Sequence, residues 1–282
     1  MREKSELCSV DELKLLIRQN KVNVLDSSWY LPSQCVDCLS EFEKGHIPGA
    51  QFFDIDVISD QQSNLPHMLP KAKQFSSQVS ALGISNNSHI VVYDSAGLFA
   101  AARAWWTFKV FGHDNVRVLD GGLPAWVKEN GELEQQTRST QTTNYTAEIN
   151  SNLIADKATL IKNISSKHYV VLDARPTERF LGTAPEPRPG LPSGHMPESI
   201  SLSAASLVSQ GRLQSRNELQ RMFSKININP STPLITSCGS GVTAAIITLA
   251  LAESGFGLNK LYDGSWAEWA SADDTLILNK SI

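Results

Sequence analysis

The sequence predicts an α/β protein made of two tandem copies of one domain, each a parallel sheet flanked by helices. Short β-branched runs end in Asp, Cys or a Gly turn and give way to segments with helical apolar spacing, as in a parallel sheet covered by helices. The order of these landmarks in the first half returns in the second. The 282 residues suffice for two separate cores at roughly 150 residues per domain.

In the first half the landmarks are Val22–Asp26, Gly45-His46-Ile47-Pro48-Gly49, Ile90–Asp94 and Val118–Gly121. In the second they are Tyr169–Asp173, Gly194-His195-Met196-Pro197, Pro233–Cys238 and Leu261–Gly264. Recurrence over a domain's length marks a duplication, because solenoid units recur every roughly 20 to 50 residues. Asp11–Arg18, Ala100–Val110 and Thr243–Glu253 carry apolar residues at helical spacing, and Gly112 and Gly255 supply stops after the latter two. Residues 135–150 are rich in Thr, Ser, Gln and Asn and promise little core. The expected division is an N-terminal domain at 1–134, a linker at 135–152 and a C-terminal domain at 153–282.

Composition narrows the function. Hydrophobic residues make up 41% and charged residues 19%, an ordinary globular mixture, and the net charge of −4 with no basic block argues against a nucleic-acid partner. The four cysteines, Cys8, Cys35, Cys38 and Cys238, are too few and too uneven for a secreted disulfide framework, so a reducing, cytoplasmic setting is expected. The charged N-terminus lacks a signal-peptide core, and the uncharged stretch 226–252 is broken by Pro230, Pro233 and Gly239, so no membrane partner is expected.

The window that carries chemistry is Leu234-Ile-Thr-Ser-Cys238-Gly239-Ser240-Gly241-Val242-Thr243 and the apolar run from Ala244 to Ala252. It reads as strand, tight loop, helix. A cysteine at the carboxyl end of a parallel strand stands where open α/β sheets bind ligands. Unpaired N–H groups and the positive helix end favour an anion there, which makes Cys238 the candidate nucleophile. A buried structural cysteine is the plainer alternative. The run Gly239 to Ala244 also matches G-x-G-x-x-A with Asp263 about twenty residues on, but too little chain follows to complete a dinucleotide domain. Counting back three residues from Gly97 and Gly241 sets Asp94 opposite Cys238, so only the C-terminal domain should be catalytic. Cys35-Val-Asp-Cys38 lacks a second pair for zinc and reads as structural or a minor redox handle. With no H-E-x-x-H or Walker loop, neither a metal nor another cofactor is implied.

At these residues the chain resembles the tandem-domain rhodanese-type sulfurtransferases. The resemblance rests on the two Gly-His-Ile/Met-Pro segments, the Asp-Gly-Gly and Asp-Gly-Ser turns at 120–122 and 263–265, and Cys238-Gly-Ser-Gly-Val-Thr-Ala244. It implies two rhodanese-like domains and transfer of sulfur from 3-mercaptopyruvate, through a Cys238 persulfide, to a thiol, cyanide or thioredoxin acceptor, with release of pyruvate. Residues Gly239, Gly241, Val242 and Thr243 form the implied binding loop. Thiosulfate-preferring relatives carry basic residues after the cysteine, whereas Gly239 and Ser240 are neutral; a thiosulfate sulfurtransferase and a non-catalytic sulfur carrier remain the alternatives. Ala244 stands where rhodanese-like phosphatases close their loop with arginine, so phosphoryl chemistry is not expected. The resemblance assigns Arg179 and Arg188 to the carboxylate and keto oxygen of the donor, although two arginines in a Pro-rich loop would otherwise read as solvated surface. It also assigns Asp56, His67 and Ser240 to a proton relay, where a turn cap, a surface histidine and a loop serine are the plainer readings.

Overall fold

The computed structural model describes residues 5–279, which form two compact units. The first comprises the described residues up to Gln61 with Leu69–Asn150 and Gln210–Leu213; the second comprises Gln62–Met68, Ser151–Ser209 and the residues from Gln214 onward. Each half of the chain thus lends one short segment to the unit built mainly from the other.

The first unit holds a sheet of β1 (Leu7–Cys8), β2 (Asn23–Asp26), β3 (Gln51–Phe52), β4 (Ile90–Tyr93) and β5 (Val116–Leu119), in the order β1-β5-β4-β2-β3. In the second unit the sheet contains β6 (Ile154–Ala155), β7 (Val170–Asp173) and β8 (Ser199–Ser201). A small pair, β9 (Val208–Ser209) and β10 (Arg212–Leu213), precedes β11 (Leu234–Ser237) and β12 (Lys260–Tyr262). The second sheet has the order β6-β12-β11-β7-β8, the same as the first when strands are matched by rank in their sheets. All described pairings in both large sheets are parallel, with β4 and β11 central.

The sequence-expected strands and helices occur within one or two residues of their anticipated ends. β4 and β11 are buried along their whole length; this suits the apolar run Ile90–Tyr93, whereas β11 carries Thr236 inside by pairing its hydroxyl with that of Thr248 at 2.9 Å. The helices behind them, Ala101–Val110 and Ala244–Glu253, are buried nearly all round. Lys109 is tolerated inside the first because it pairs with Glu6 at 3.2 Å and donates to the Asp114 carbonyl. Helix Val10–Arg18 starts at Ser9, whose hydroxyl accepts the Glu12 N–H, and Glu12 holds Arg117 through two bonds at 2.9 and 2.7 Å. Among the described residues no helix is long and apolar enough to cross a membrane.

The expectation of little core from residues 135–150 needs correction at Tyr145. This side chain is buried, packs edge-on against Phe75, and its N–H donates to the Ser80 hydroxyl. This ring and backbone bonds such as Thr143 N–H to the Ser80 carbonyl at 3.0 Å and Asn150 N–H to the Val110 carbonyl at 2.8 Å seat the irregular stretch on the first unit.

The repeated Gly-His motif is architectural. His46 stacks on Phe42 at 3.9 Å and its Nδ1–H donates to the Phe42 carbonyl at 2.9 Å; His195 repeats this with Phe180, at 4.0 and 2.8 Å. A carbonyl only accepts, so Nδ1 carries the proton in both rings. Each motif residue also forms an antiparallel bridge, to Glu134 and Leu278 respectively, closing the edge of its unit. Replacing His46 with Ala opens a cavity and removes one of the two donors on the Phe42 carbonyl, which keeps the Gly45 N–H at 3.2 Å, with an expected loss of about 2–4 kcal/mol in urea unfolding. A midpoint within error of the parent would contradict the structural role.

Candidate active site

Cys238 is the first residue beyond β11 and is 2% exposed. The loop 238–243 joins the strand to the helix Ala244–Glu253, and Thr236 in the strand bonds Thr248 in the helix through their hydroxyls at 2.9 Å. The strand end and the helix start are thereby fixed together, and the loop spans a set distance. Within it Gly241 has φ +76°, a conformation that L side chains resist. Gly239 lies outside that region, and its missing side chain serves a different need. A Cβ there would meet Nη2 of Arg179 at 3.2 Å, so the guanidinium lies directly against the loop.

The Asp263-Gly-Ser265 turn secures the loop from below. The Cys238 N–H donates to the Ser265 hydroxyl at 3.1 Å, and that hydroxyl donates to the Tyr262 carbonyl at 2.8 Å. The N–H groups of Trp266 and Ala267 reach the Cys238 and Gly239 carbonyls, each at 2.9 Å. Both peptide groups flanking the Cys238 side chain are therefore held by fixed partners.

Arg179 lies on the short helix Thr177–Phe180 after β7. Its Nε, at 3.1 Å, and its Nη2 both donate to Oε2 of Glu186, so the side-on pair of donors is already committed. What remains for an incoming anion is the end-on edge built around Nη1. Glu186 Oε1 accepts from Nη1 of Arg175 at 2.7 Å, and Arg175 also binds Asp173 and the Gly194 carbonyl. The Glu186, Arg175 and Asp173 side chains are at most 2% exposed, whereas Arg179 is 20% exposed. Arg175 further covers the Trp266 ring at 4.1 Å from its centroid. Burial opposes its charge, yet Asp173 and Glu186 together hold the guanidinium above its ordinary pKa.

Of the sequence-identified residues, Cys238, Gly239, Ser240, Gly241, Val242, Thr243 and Arg179 are gathered at this loop. Ser240 and Val242 are buried. Arg188 sits half-buried in the segment 181–194 that carries Glu186. His67 is buried, at φ +58°, and belongs with Gln62–Met68 to the same unit as Cys238. Asp56 belongs to the first unit, where its carboxylate accepts the Trp29 indole N–H at 2.9 Å. All four cysteines are free thiols; Cys35 is exposed and Cys38 half-buried. Sequence reasoning passed over Ser265, Glu186 and the Asp173–Arg175 pair. The one available signal was the difference between the Asp-Gly-Gly and Asp-Gly-Ser turns of the two copies.

The first unit supplies an internal comparison. Asp94 follows β4 as Cys238 follows β11, and its carboxylate accepts the N–H groups of Ala96 at 3.0 Å, Phe99 at 2.7 Å and Ala101 at 2.8 Å. Burial pushes this carboxyl above its usual range, and those N–H groups pull it back. The strand-to-helix loop of the first copy therefore turns its donors onto an anion that the chain provides.

A model of the rhodanese-like domain matches the chain twice, at residues 9–129 and 156–272. The chain is 40% identical to 3-mercaptopyruvate sulfurtransferase of Rattus norvegicus over 88% of its own length and 84% of that protein. It is 39% identical to thiosulfate/3-mercaptopyruvate sulfurtransferase 2 of Arabidopsis thaliana, over 97% and 86% of the two chains. The crystal structure of SseA from Escherichia coli, described as a 3-mercaptopyruvate sulfurtransferase of rhodanese fold, superposes with a TM-score of 0.85 at 34% identity, covering 93% of this chain and 99% of that one.

Removing Glu186 would leave the buried Arg175 guanidinium short of one partner and release Arg179. Glu186→Ala is expected to destabilise the protein by about 3–5 kcal/mol in chemical unfolding. A loss below 1 kcal/mol would mean that the cluster relaxes without cost.

Proposed function

The chain belongs to the rhodanese-like family, and from that premise we propose that it transfers sulfur from 3-mercaptopyruvate by way of a Cys238 persulfide. The observation that carries the reading is the combination at one loop of a cysteine at the end of the central strand and a guanidinium against Gly239. A thiol with a held backbone is a nucleophile of defined direction, and the arginine beside it selects a donor that carries an anionic group.

In the first half-reaction the Cys238 thiolate attacks the donor sulfur. The new S–S bond takes one electron pair, the C–S bond breaks, and pyruvate leaves as its enolate. The proton of the donor thiol ends on the enolate carbon, so the half-reaction needs no outside oxidant or reductant. Arg179, through its remaining edge, and Arg188 hold the carboxylate and keto oxygen while charge develops on the enolate. Ser240, His67 and Asp56 are the groups to which we assign movement of the proton. In the second half-reaction a thiol, cyanide or the dithiol of thioredoxin attacks the outer sulfur and restores the Cys238 thiolate. The loop N–H groups carry the persulfide anion between the two steps, in the manner that the first copy's loop carries the Asp94 carboxylate. The four free thiols suit work in a reducing compartment such as the cytoplasm.

Neutral Gly239 and Ser240 favour the carboxylate donor over thiosulfate, a dianion better met by basic residues at those positions. Intact-mass measurement tests residue and donor together. One added sulfur is expected from 3-mercaptopyruvate, faster than from thiosulfate, and none in Cys238→Ser. Faster loading by thiosulfate would reassign the donor, and loading of the Cys238→Ser variant would remove the nucleophile. Arg188→Lys keeps the charge but loses the planar fork, so KM for 3-mercaptopyruvate is expected to rise about tenfold in steady-state assays. An unchanged KM would take Arg188 out of the binding site.

A further inference from the structure

We propose that Ser265 is a positioning residue for the nucleophile, and that a strained backbone is retained at this position for the sake of its hydroxyl. The inference rests on the assignment of Cys238 above. Ser265 is fully buried and has φ +49°, in the left-handed region that non-glycine residues enter at a cost. The matching residue of the first copy is Gly122, at φ +51°. The conformation is thus a property of the turn, shared by both copies, and glycine is the residue that adopts it without strain.

The second copy differs in placing a hydroxyl there, and the hydroxyl has a definite task. It accepts the Cys238 N–H at 3.1 Å and passes its own hydrogen to the Tyr262 carbonyl at 2.8 Å. The carbonyl side of the clamp is common to both copies, since Leu123 N–H meets the Asp94 carbonyl at 3.0 Å as Trp266 N–H meets that of Cys238 at 2.9 Å. The amide side of the clamp depends on Ser265. In the first copy a Cβ at residue 122 would lie 2.4 Å from the Asp94 carbonyl oxygen and 2.8 Å from that of Gly97. There the loop from strand to helix, 94–100, is one residue longer than 238–243 and fills the space the hydroxyl takes in the second.

Two consequences follow for the chemistry. The Cys238 N–H is withdrawn from the sulfur, so anion stabilisation falls to the later N–H groups of the loop. The N–Cα direction at Cys238 is also set, and with it the line along which Sγ meets the donor. A small misalignment of reacting atoms costs much in rate and little in binding. The donor-binding arginines lie on other segments and do not depend on this bond.

Comparing Ser265→Gly with Ser265→Ala tests the proposal. Glycine removes both strain and hydroxyl, whereas alanine removes the hydroxyl and keeps the strain. Persulfide formation is followed by rapid-quench intact mass over a range of 3-mercaptopyruvate concentrations, with urea unfolding alongside. Both variants are expected to load sulfur about tenfold more slowly at saturating donor, with KM within about twofold of the parent and with Gly no less stable than Ala. Loading by Ser265→Gly at the parent rate would overturn the proposal. So would loading rates that follow the unfolding midpoints, or a defect confined to KM. Failure of the parent protein to load sulfur would overturn the assignment of Cys238, an outcome distinct from normal loading by the serine variants.

Discussion

A single buried guanidinium ties together the parts of the second unit that the site requires. Arg175 meets Asp173 at the end of β7, Glu186 and the Gly194 carbonyl in the following segment, and the face of Trp266 in the short helix Ser265–Trp269 beneath the cysteine loop. Carrying a charge 1% exposed is costly, and only full pairing offsets the lost hydration. Pairing therefore dictates where the segment 181–194 goes. Glu186 is drawn inward, its second oxygen takes Arg179, and Arg179 is delivered to the bare backbone of Gly239. The position of Arg179 is a consequence of a charge buried two side chains away.

The two copies of the domain set different residues at one place in one scaffold. Both end their central strand in a residue that bears or can acquire negative charge, and both follow it with a loop and a buried helix. In the first copy the anion is a carboxylate on the chain itself, and two loop N–H groups and the first of the helix are spent on it. A carboxylate held in this way carries no thiol nucleophile. In the second, a thiol replaces the carboxylate, the loop loses a residue, and the turn gains the Ser265 hydroxyl.

Legibility in the sequence followed the length of each signal. β4, β11 and the helices after them were evident because short β-rich runs ending at Asp94 and Cys238, each followed by a segment with helical apolar spacing, admit few other readings. The flanking strands Leu7–Cys8, Gln51–Phe52, Ile154–Ala155 and Ser199–Ser201 were missed, since two or three residues carry no period and are strands only through their neighbours. Tyr145 was hidden by polar company, and Glu186 by lying in a Pro-rich segment where charge ordinarily meets water. The Gly-His repeat was visible, but its role as a ring stacked on Phe and bonded to a carbonyl was not.

By itself the sequence determined the duplication and the α/β class, and it singled out Cys238, with Asp94 at the matching place of the first copy, as the candidate nucleophile. These are local matters: a run of side chains, a glycine-bounded loop and a substitution at a repeated place can each be read without knowing what packs beside them. Tertiary structure decided which edge of Arg179 is left uncommitted by Glu186, that a side chain at Gly239 would press on that guanidinium, and which hydroxyl holds the Cys238 amide. Those outcomes depend on groups far apart in the chain competing for the same buried donors and acceptors, and a competition of that kind is resolved only when the chain has folded.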